Sequence, residues 1–191
     1  MIKEIITAIR SSVILWILTA LIYPFFLIFI GQTVFPYQAN GSLIKNNQNQ
    51  IIGSALIGQT FTSERYFISR PSVINYSEGE DAKPTGLSGA SNLAPSNPEL
   101  IQRVEQTIFN LKQAQIEPTA DLVYTSGSGL DPHITLESAR LQIPRIAASR
   151  NLDVNQLEIL IKKHTNKRFL SIFGEPGVNV LTLNLALDEI S

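Results

Sequence analysis

The chain has 191 residues, 44% hydrophobic and 16% charged, with a net charge of −1 and no cysteine. That length holds one domain with an appendage and excludes a large multidomain machine, while the near-neutral charge offers no basic surface for nucleic acid. Absent thiols exclude disulfides, thiolate metal sites and cysteine nucleophiles, and the two histidines, His133 and His164, form no His-Glu-x-x-His zinc helix.

The first element is apolar. From Val13 to Ile44 there is no Asp, Glu, Lys or Arg. The run Val13 to Ile30 is about 27 Å long as a helix. With Ser11, Ser12 and Gly31 as shoulders it covers a hydrocarbon core of roughly 30 Å. A cleaved signal peptide would have an apolar region of about 7–15 residues ending at a small-x-small site. Here the run is longer and leads into Gln32-Thr33-Val34-Phe35-Pro36-Tyr37, so it reads as an uncleaved anchor. Pro24 should kink it and strip the carbonyl near Ala20 of its donor, to be met by a partner helix or a local 3₁₀ adjustment. Thr19 and Tyr23 lie on nearby faces as hydrogen-bond donors. Lys3 and Arg10 precede the run and the next basic residue is Lys45. The positive-inside rule therefore sets residues 1–11 in the cytoplasm, 12–31 as a single transmembrane helix, and 37–191 as one extracytoplasmic α+β domain.

Within that domain, Ser42 to Ile44 and Ile51-Ile52 read as short strands around the polar tip 45–50. Leu56 to Gln59 and Tyr66 to Ile68 extend a small sheet. Asn75 to Pro98 is dense in Gly, Ser, Pro and Asn, and reads as a long loop. Asn97 then caps a helix with Pro98 first and Glu99 at its positive end, and Leu100, Val104, Ile108 and Leu111 form its apolar stripe. Leu122 to Thr125 reads as a strand leading into a turn-rich loop, Ser126 to His133. Thr135 starts a helix to about Gln142, and Pro144 restarts it to Arg150. Asp153 and Gln156 make a capping box for the next helix, with Leu152 and Leu157 as a staple. After the turn Gly174 to Gly177, Val178 to Leu187 alternates with period two, placing Leu181, Leu183, Leu185 and Leu187 on one strand face.

Candidate chemistry is sparse. No Gly-x-x-x-x-Gly-Lys-[Ser/Thr] or Gly-x-Gly-x-x-Gly loop occurs. Leu87-Ser88-Gly89-Ala90-Ser91 is loosely like a loop in which backbone amides meet phosphate oxygens. Ser126 or Ser128 with Asp131 and His133 suggests a hydrolase triad, though triads assemble from separated segments and Asp131-Pro132 also reads as a turn. His164 reads as a dipole partner at a helix end. Arg140, Arg145 and Arg150 read as solvated or paired with Glu137 or Asp153.

Several loops carry more when taken in order: Gln38-Ala39-Asn40-Gly41-Ser42-Leu43, Gly53 to Gln59, Tyr66-Phe67 with Arg70-Pro71-Ser72, Ser91-Asn92-Leu93, Ser126 to Asp131, Gln142-Ile143-Pro144-Arg145, and Val178-Asn179-Val180 with Leu183 to Leu187. Together they resemble the KdpC subunits of Kdp potassium-transporting ATPases over nearly the whole chain, with Ala90 where that family often has a second glycine. The resemblance implies a non-catalytic accessory subunit in the cell membrane. Its partners would be membrane lipid, a P-type ATPase subunit, a channel-like potassium-binding subunit and a small single-helix subunit. It would act as a catalytic chaperone that raises the ATP affinity of the ATPase subunit and holds the assembly together. No cofactor would be bound firmly, and ATP would be reached through the partner. Ser88, Gly89, Ser91, Asn92 and Gln142 are the nucleotide contacts it implies. The chain itself lacks the Asp-Lys-Thr-Gly-Thr phosphorylation site and any selectivity-filter repeat. Read from the residues alone, an anchored serine hydrolase or a ligand-binding module remains the alternative.

Overall fold

The apolar run lies within a continuous helical segment, Ile2–Val34, in a computed structural model that describes residues 1–46, 48–78 and 87–190. The segment comprises α1 (Ile2–Ile17), a π-helical turn (Leu18–Ile22) and α2 (Tyr23–Val34). At 1.5 Å per residue its 33 residues reach about 50 Å, more than a bilayer core requires. None of its most apolar stretch is buried within the protein. Pro24 is accommodated by widening, not by the expected 3₁₀ tightening: the Tyr23 N–H reaches back to the Leu18 carbonyl. A π-turn carries one residue more than an α-turn, which lets the ladder pass a proline that cannot donate. The Thr19 hydroxyl donates to Leu15 O inside the same helix (2.8 Å).

The chain divides into two compact units, Met1–Ile52 and Gly53–Ser191. In the first, α3 (Pro36–Ala39) follows the long helix; β1 (Leu43–Lys45) pairs as expected with β2 (Ile51–Ser54), the strand in which the first unit ends. The polar tip between them turns on Asn46, whose Oδ1 accepts the N–H groups of Gln48 and Gln50 (3.0 and 2.9 Å). Asn47, residues 79–86 of the expected long loop, and Ser191 lie outside the described residues.

The second unit is helices on a small sheet. Its helices are α4 (Pro98–Gln113), α5 (Ala120–Val123), α6 (Leu136–Leu141), α7 (Ile143–Arg150), α8 (Val154–Lys163) and α9 (Val180–Glu189). A three-stranded antiparallel sheet has the order β3 (His133–Ile134), β5 (Gly177–Asn179), β4 (Thr165–Asn166), with Ile134 opposite Val178 and Asn166 opposite Gly177. α8 packs against α6, α7 and α9. Phe67, Ile146, Leu157, Ile161, Leu183 and Leu187 are wholly buried among these elements. The expected cap at Asn97 holds, its Oδ1 accepting from Glu99 N–H. Asp153 caps its helix by accepting from Asn155 N–H where the box placed Gln156, and Thr135 at the expected helix start accepts from Ser138 N–H.

Four expectations of strand fail, two through local caps and turns and two through partners far away in the chain. Val178 to Leu187 continues as strand only to Asn179, whose side chain accepts from Thr182 N–H and starts α9. Val180, Leu183, Asn184 and Leu187 are then buried at helical spacing, a period hidden by the alternating leucines. Leu122 and Val123 lie in α5, because their N–H groups bond back to Thr119 O (3.1 and 3.0 Å). Asp121 holds that turn against α6 through Ser138 Oγ (2.5 Å) and Thr135 N–H (2.6 Å). Tyr66 to Ile68 has no neighbouring strand among the described residues, and side-chain amides take the place of one. Asn184 accepts from Phe67 N–H and donates to Phe67 O, both at 2.9 Å, while Gln142 Oε1 accepts from Ile68 N–H (2.8 Å). Leu56 to Gln59 forms no strand either; its Gly58 N–H goes to Leu130 O (2.9 Å).

Candidate functional site

Several of the loops picked out in the sequence, between Gly53 and Asp131, meet in the second unit. Arg70 Nη1 meets Asp131 Oδ2 at 2.9 Å, and Ser72 Oγ donates to Gly129 O at 2.7 Å. The Tyr76 hydroxyl donates to Arg70 O (2.6 Å). Tyr76 is buried, and burial above all raises its hydroxyl pKa to about 12, so it stays a donor. Gly58 is required beneath that ring: a Cβ there would lie 2.4 Å from Tyr76 Cε1. Asn75, Tyr76 and Ser77 all have positive φ (46°, 54° and 57°), unusual for side-chain-bearing residues. They are pinned by Thr60 Oγ1 on Asn75 Oδ1 (2.9 Å), by Ser72 Oγ accepting from Tyr76 N–H (3.1 Å), and by Ser77 Oγ donating to Leu87 O (2.7 Å). Strain of this kind persists only where the surroundings over-determine it.

The loop containing Ser88 and Gly89 joins the same cluster. Ser88 Oγ and Gly89 N–H both donate to Ser128 O, at 3.1 and 2.9 Å. Ser91 is half-buried, and Asn92 is exposed with φ +52°. Gln142 sits elsewhere, fully buried at the α6–α7 junction. Its Nε2 donates to Ser138 O (3.2 Å), and Arg145 Nη2 donates to its Oε1 (3.2 Å). The structure thus gathers Ser88 and Gly89 with the 126–131 loop and gives Gln142 a separate set of partners.

The triad suspicion finds a different arrangement. Ser126 Oγ accepts from Gly129 N–H (2.9 Å) and Ser128 Oγ from Leu130 N–H (3.1 Å), both turn bonds. The His133 ring lies between Asp131 Oδ1 (Nδ1, 3.5 Å) and Asn166 Nδ2 (Nε2, 3.0 Å). The arginines also find other partners than those expected. Arg140 pairs with Glu158 and Arg150 with Asp188, and Arg150 stacks 4.7 Å over the Tyr66 ring. Arg145 donates to the carbonyls of Glu64 and Tyr66. His164 caps α8, and burial lowers its pKa, with Lys163 adding to the effect.

Arg70, Tyr76 and Asn184 were not anticipated as organisers. Asn184 had a visible signal, a lone carboxamide inside an apolar run. Tyr76 had none, because its left-handed backbone leaves no compositional trace.

Asp131 makes the cluster pH-sensitive. Burial pushes its carboxyl up, but hydrogen bonds from the His133 ring and N–H, together with the Arg70 charge, outweigh that and hold it below its ordinary value. A carboxyl whose folded pKa is depressed contributes stability that is complete above its unfolded value, about 4, and is lost as pH falls through the folded value. Asp131→Asn is therefore expected to cost about 1.5–3 kcal/mol at pH 7. The difference from the parent chain should shrink toward zero below about pH 4. Denaturant unfolding across that range checks this, and a gap independent of pH would refute it.

A family model described as K+-transporting ATPase, c chain (KdpC) matches residues 5–189. The chain belongs to the KdpC family. It is 63% identical over 189 residues to the potassium-transporting ATPase KdpC subunit of Synechocystis sp., covering 99% of this chain and all of that one. It is 60% identical over 195 residues to KdpC subunit 1 of Nostoc sp. (98% of this chain, 96% of the relative). To the KdpC subunit of Gloeobacter violaceus it is 52% identical over 189 residues (98% and 97%). In this chain the loop cluster is made of turns, with Arg70 and Asp131 neutralising one another.

Proposed function

We propose that the chain is the accessory subunit of an ATP-driven, high-affinity potassium import complex and is not itself a catalyst. The family match across residues 5–189 carries the reading. In it, the segment around residues 12–31 spans the cell membrane once, with residues 1–11 in the cytoplasm. The α+β domain, residues 37–191, stands outside. Lys3 and Arg10 before the span, against Lys45 as the first basic residue after it, support that orientation. The partners are a P-type ATPase subunit, a channel-like potassium-binding subunit and a small single-helix subunit. The loop cluster of Arg70, Tyr76, Gly89, Gly129 and Asp131 is a contact surface on the channel-like subunit. The chain raises the ATP affinity of the ATPase subunit and stabilises the assembly. The effect passes through the membrane subunits, while Ser88, Gly89, Ser91, Asn92 and Gln142 are the residues to examine for direct nucleotide contact.

The test compares membranes carrying the other subunits with and without this chain, fused after Ser191 to alkaline phosphatase. The chain is expected to lower the KM for ATP in potassium-stimulated hydrolysis, and the phosphatase to be active. An unchanged KM would overturn the accessory role. An inactive phosphatase on an assembled complex would reverse the orientation and favour direct ATP contact.

A further inference from the structure

The second unit carries an apolar tip that its fold does not use. After β4 the chain turns back on itself at Phe169–Phe173, with Phe169 N–H on Phe173 O (2.8 Å) and Phe173 N–H on Phe169 O (2.9 Å). Phe169, Leu170, Ile172 and Phe173 are 72, 69, 72 and 61% exposed. Four adjacent large apolar side chains turned out to water mark an interaction site, unlike apolar residues scattered singly. The turn residues Leu170 and Ser171 have φ of +50° and +63°. Tight hairpins usually place Asn or Gly at such positions. Leucine there is disfavoured for the fold and serves the tip.

The flanks supply the chemistry of the partner. Lys162 and Lys163 end α8, and Lys167 and Arg168 lead into the hairpin; all four are exposed. Within residues 162–175 the one acidic residue is Glu175, which pairs with Arg168 (3.2 Å), and Glu189 acts on His164 at the end of α8. An apolar tip above a basic collar matches a bilayer interface, where aromatic and aliphatic groups enter the headgroup–acyl boundary and cations meet anionic headgroups. We infer that the Phe169–Phe173 hairpin inserts shallowly into an anionic phospholipid surface, giving the domain a second hold on the membrane besides its spanning helix. This rests on the anchored reading of residues 12–31, because the tether keeps a bilayer within reach.

The absence of cysteine and the single tryptophan, Trp16 in the span, make the test clean. Full-length Ile172→Cys, labelled with a polarity-sensitive fluorophore, is placed in nanodiscs of phosphatidylglycerol and phosphatidylethanolamine, or of phosphatidylcholine alone. In anionic discs the label should shift to shorter wavelength and be quenched by lipids nitroxide-labelled near the headgroup. Both signals should weaken in phosphatidylcholine and at high salt. Lys163→Gln and Lys167→Gln should each lower the ratio of inserted to free tip by about fivefold. A water-like label in anionic discs, while Trp16 is quenched by mid-chain brominated lipid, overturns the inference and leaves the anchor standing. A label that turns apolar only when the other subunits are added overturns it in favour of a protein partner. Unquenched Trp16 overturns the anchor and the tethered contact with it.

Discussion

Asn184→Ala is expected to destabilise the domain by about 2–5 kcal/mol, because two buried backbone groups lose their partners at once. Asn184 is buried in α9 and bonds both the N–H and the carbonyl of Phe67, itself wholly buried. Water cannot replace the carboxamide there, and each buried group left unpaired costs about 1–3 kcal/mol. Against a total stability of about 5–15 kcal/mol, that is a large fraction. Asn184→Asp separates this account from simple loss of volume. A carboxylate still accepts from Phe67 N–H but faces the Phe67 carbonyl with a second acceptor, so it should rescue little. Denaturant unfolding of the full chain in detergent, followed by circular dichroism, measures both. A loss below about 1 kcal/mol for the alanine variant would show that the bonds to Phe67 carry little net energy.

Gly129→Ala should cost about 2–4 kcal/mol and open the loop cluster. Gly129 has φ +69°, and an added Cβ would lie 2.6 Å from Ile74 Cγ1 and 2.7 Å from Gly89 O. The second contact is with backbone, which cannot swing aside as the end of a long side chain can. Relief requires moving the Gly89 loop away from Ser128, breaking the bonds of Ser88 and Gly89 to its carbonyl. Gly127→Ala is the control two residues away, because nothing lies within 4 Å of its Cβ and its φ is not positive. Unfolding free energies and amide exchange at Gly89 should separate the two variants. Equal losses would remove the steric argument.

What could be read from the sequence divides along physical lines. The apolar run, the caps at Asn97, Thr135 and Asp153, and the break at Pro144 are local signals, and the elements they foretell are present. The last apolar run was misread because alternating leucines satisfy period two by their letters. Leucine and alanine favour helix by propensity, and the Asn179 cap starts one. Tyr66 to Ile68 reads as strand because it is aromatic and β-branched, yet its partners are side chains 117 and 74 residues away. No local pattern encodes that. In the candidate site, Ser88 and Gly89 read as a phosphate loop and the 126–131 loop reads separately as turn or triad, and the structure brings the two together. The Arg70–Asp131 pair and the Tyr76 hydroxyl depend on long-range closure and on left-handed backbone, neither of which composition records.

The π-turn at Leu18–Ile22 has a geometric consequence for whatever grips the long N-terminal helix. Each residue of an α-helix advances about 100° around the axis, so one residue accommodated without a full turn offsets the azimuth of everything beyond it. Side chains of α1 and α2 that a uniform wheel would align, such as Trp16 and Tyr23 seven positions apart, point in different directions. A neighbouring helix that follows one stripe along α1 loses it at Ala20 and meets a new set of side chains from Phe25 onward. The helix therefore offers two short, differently aimed contact faces, and two neighbours can read it independently.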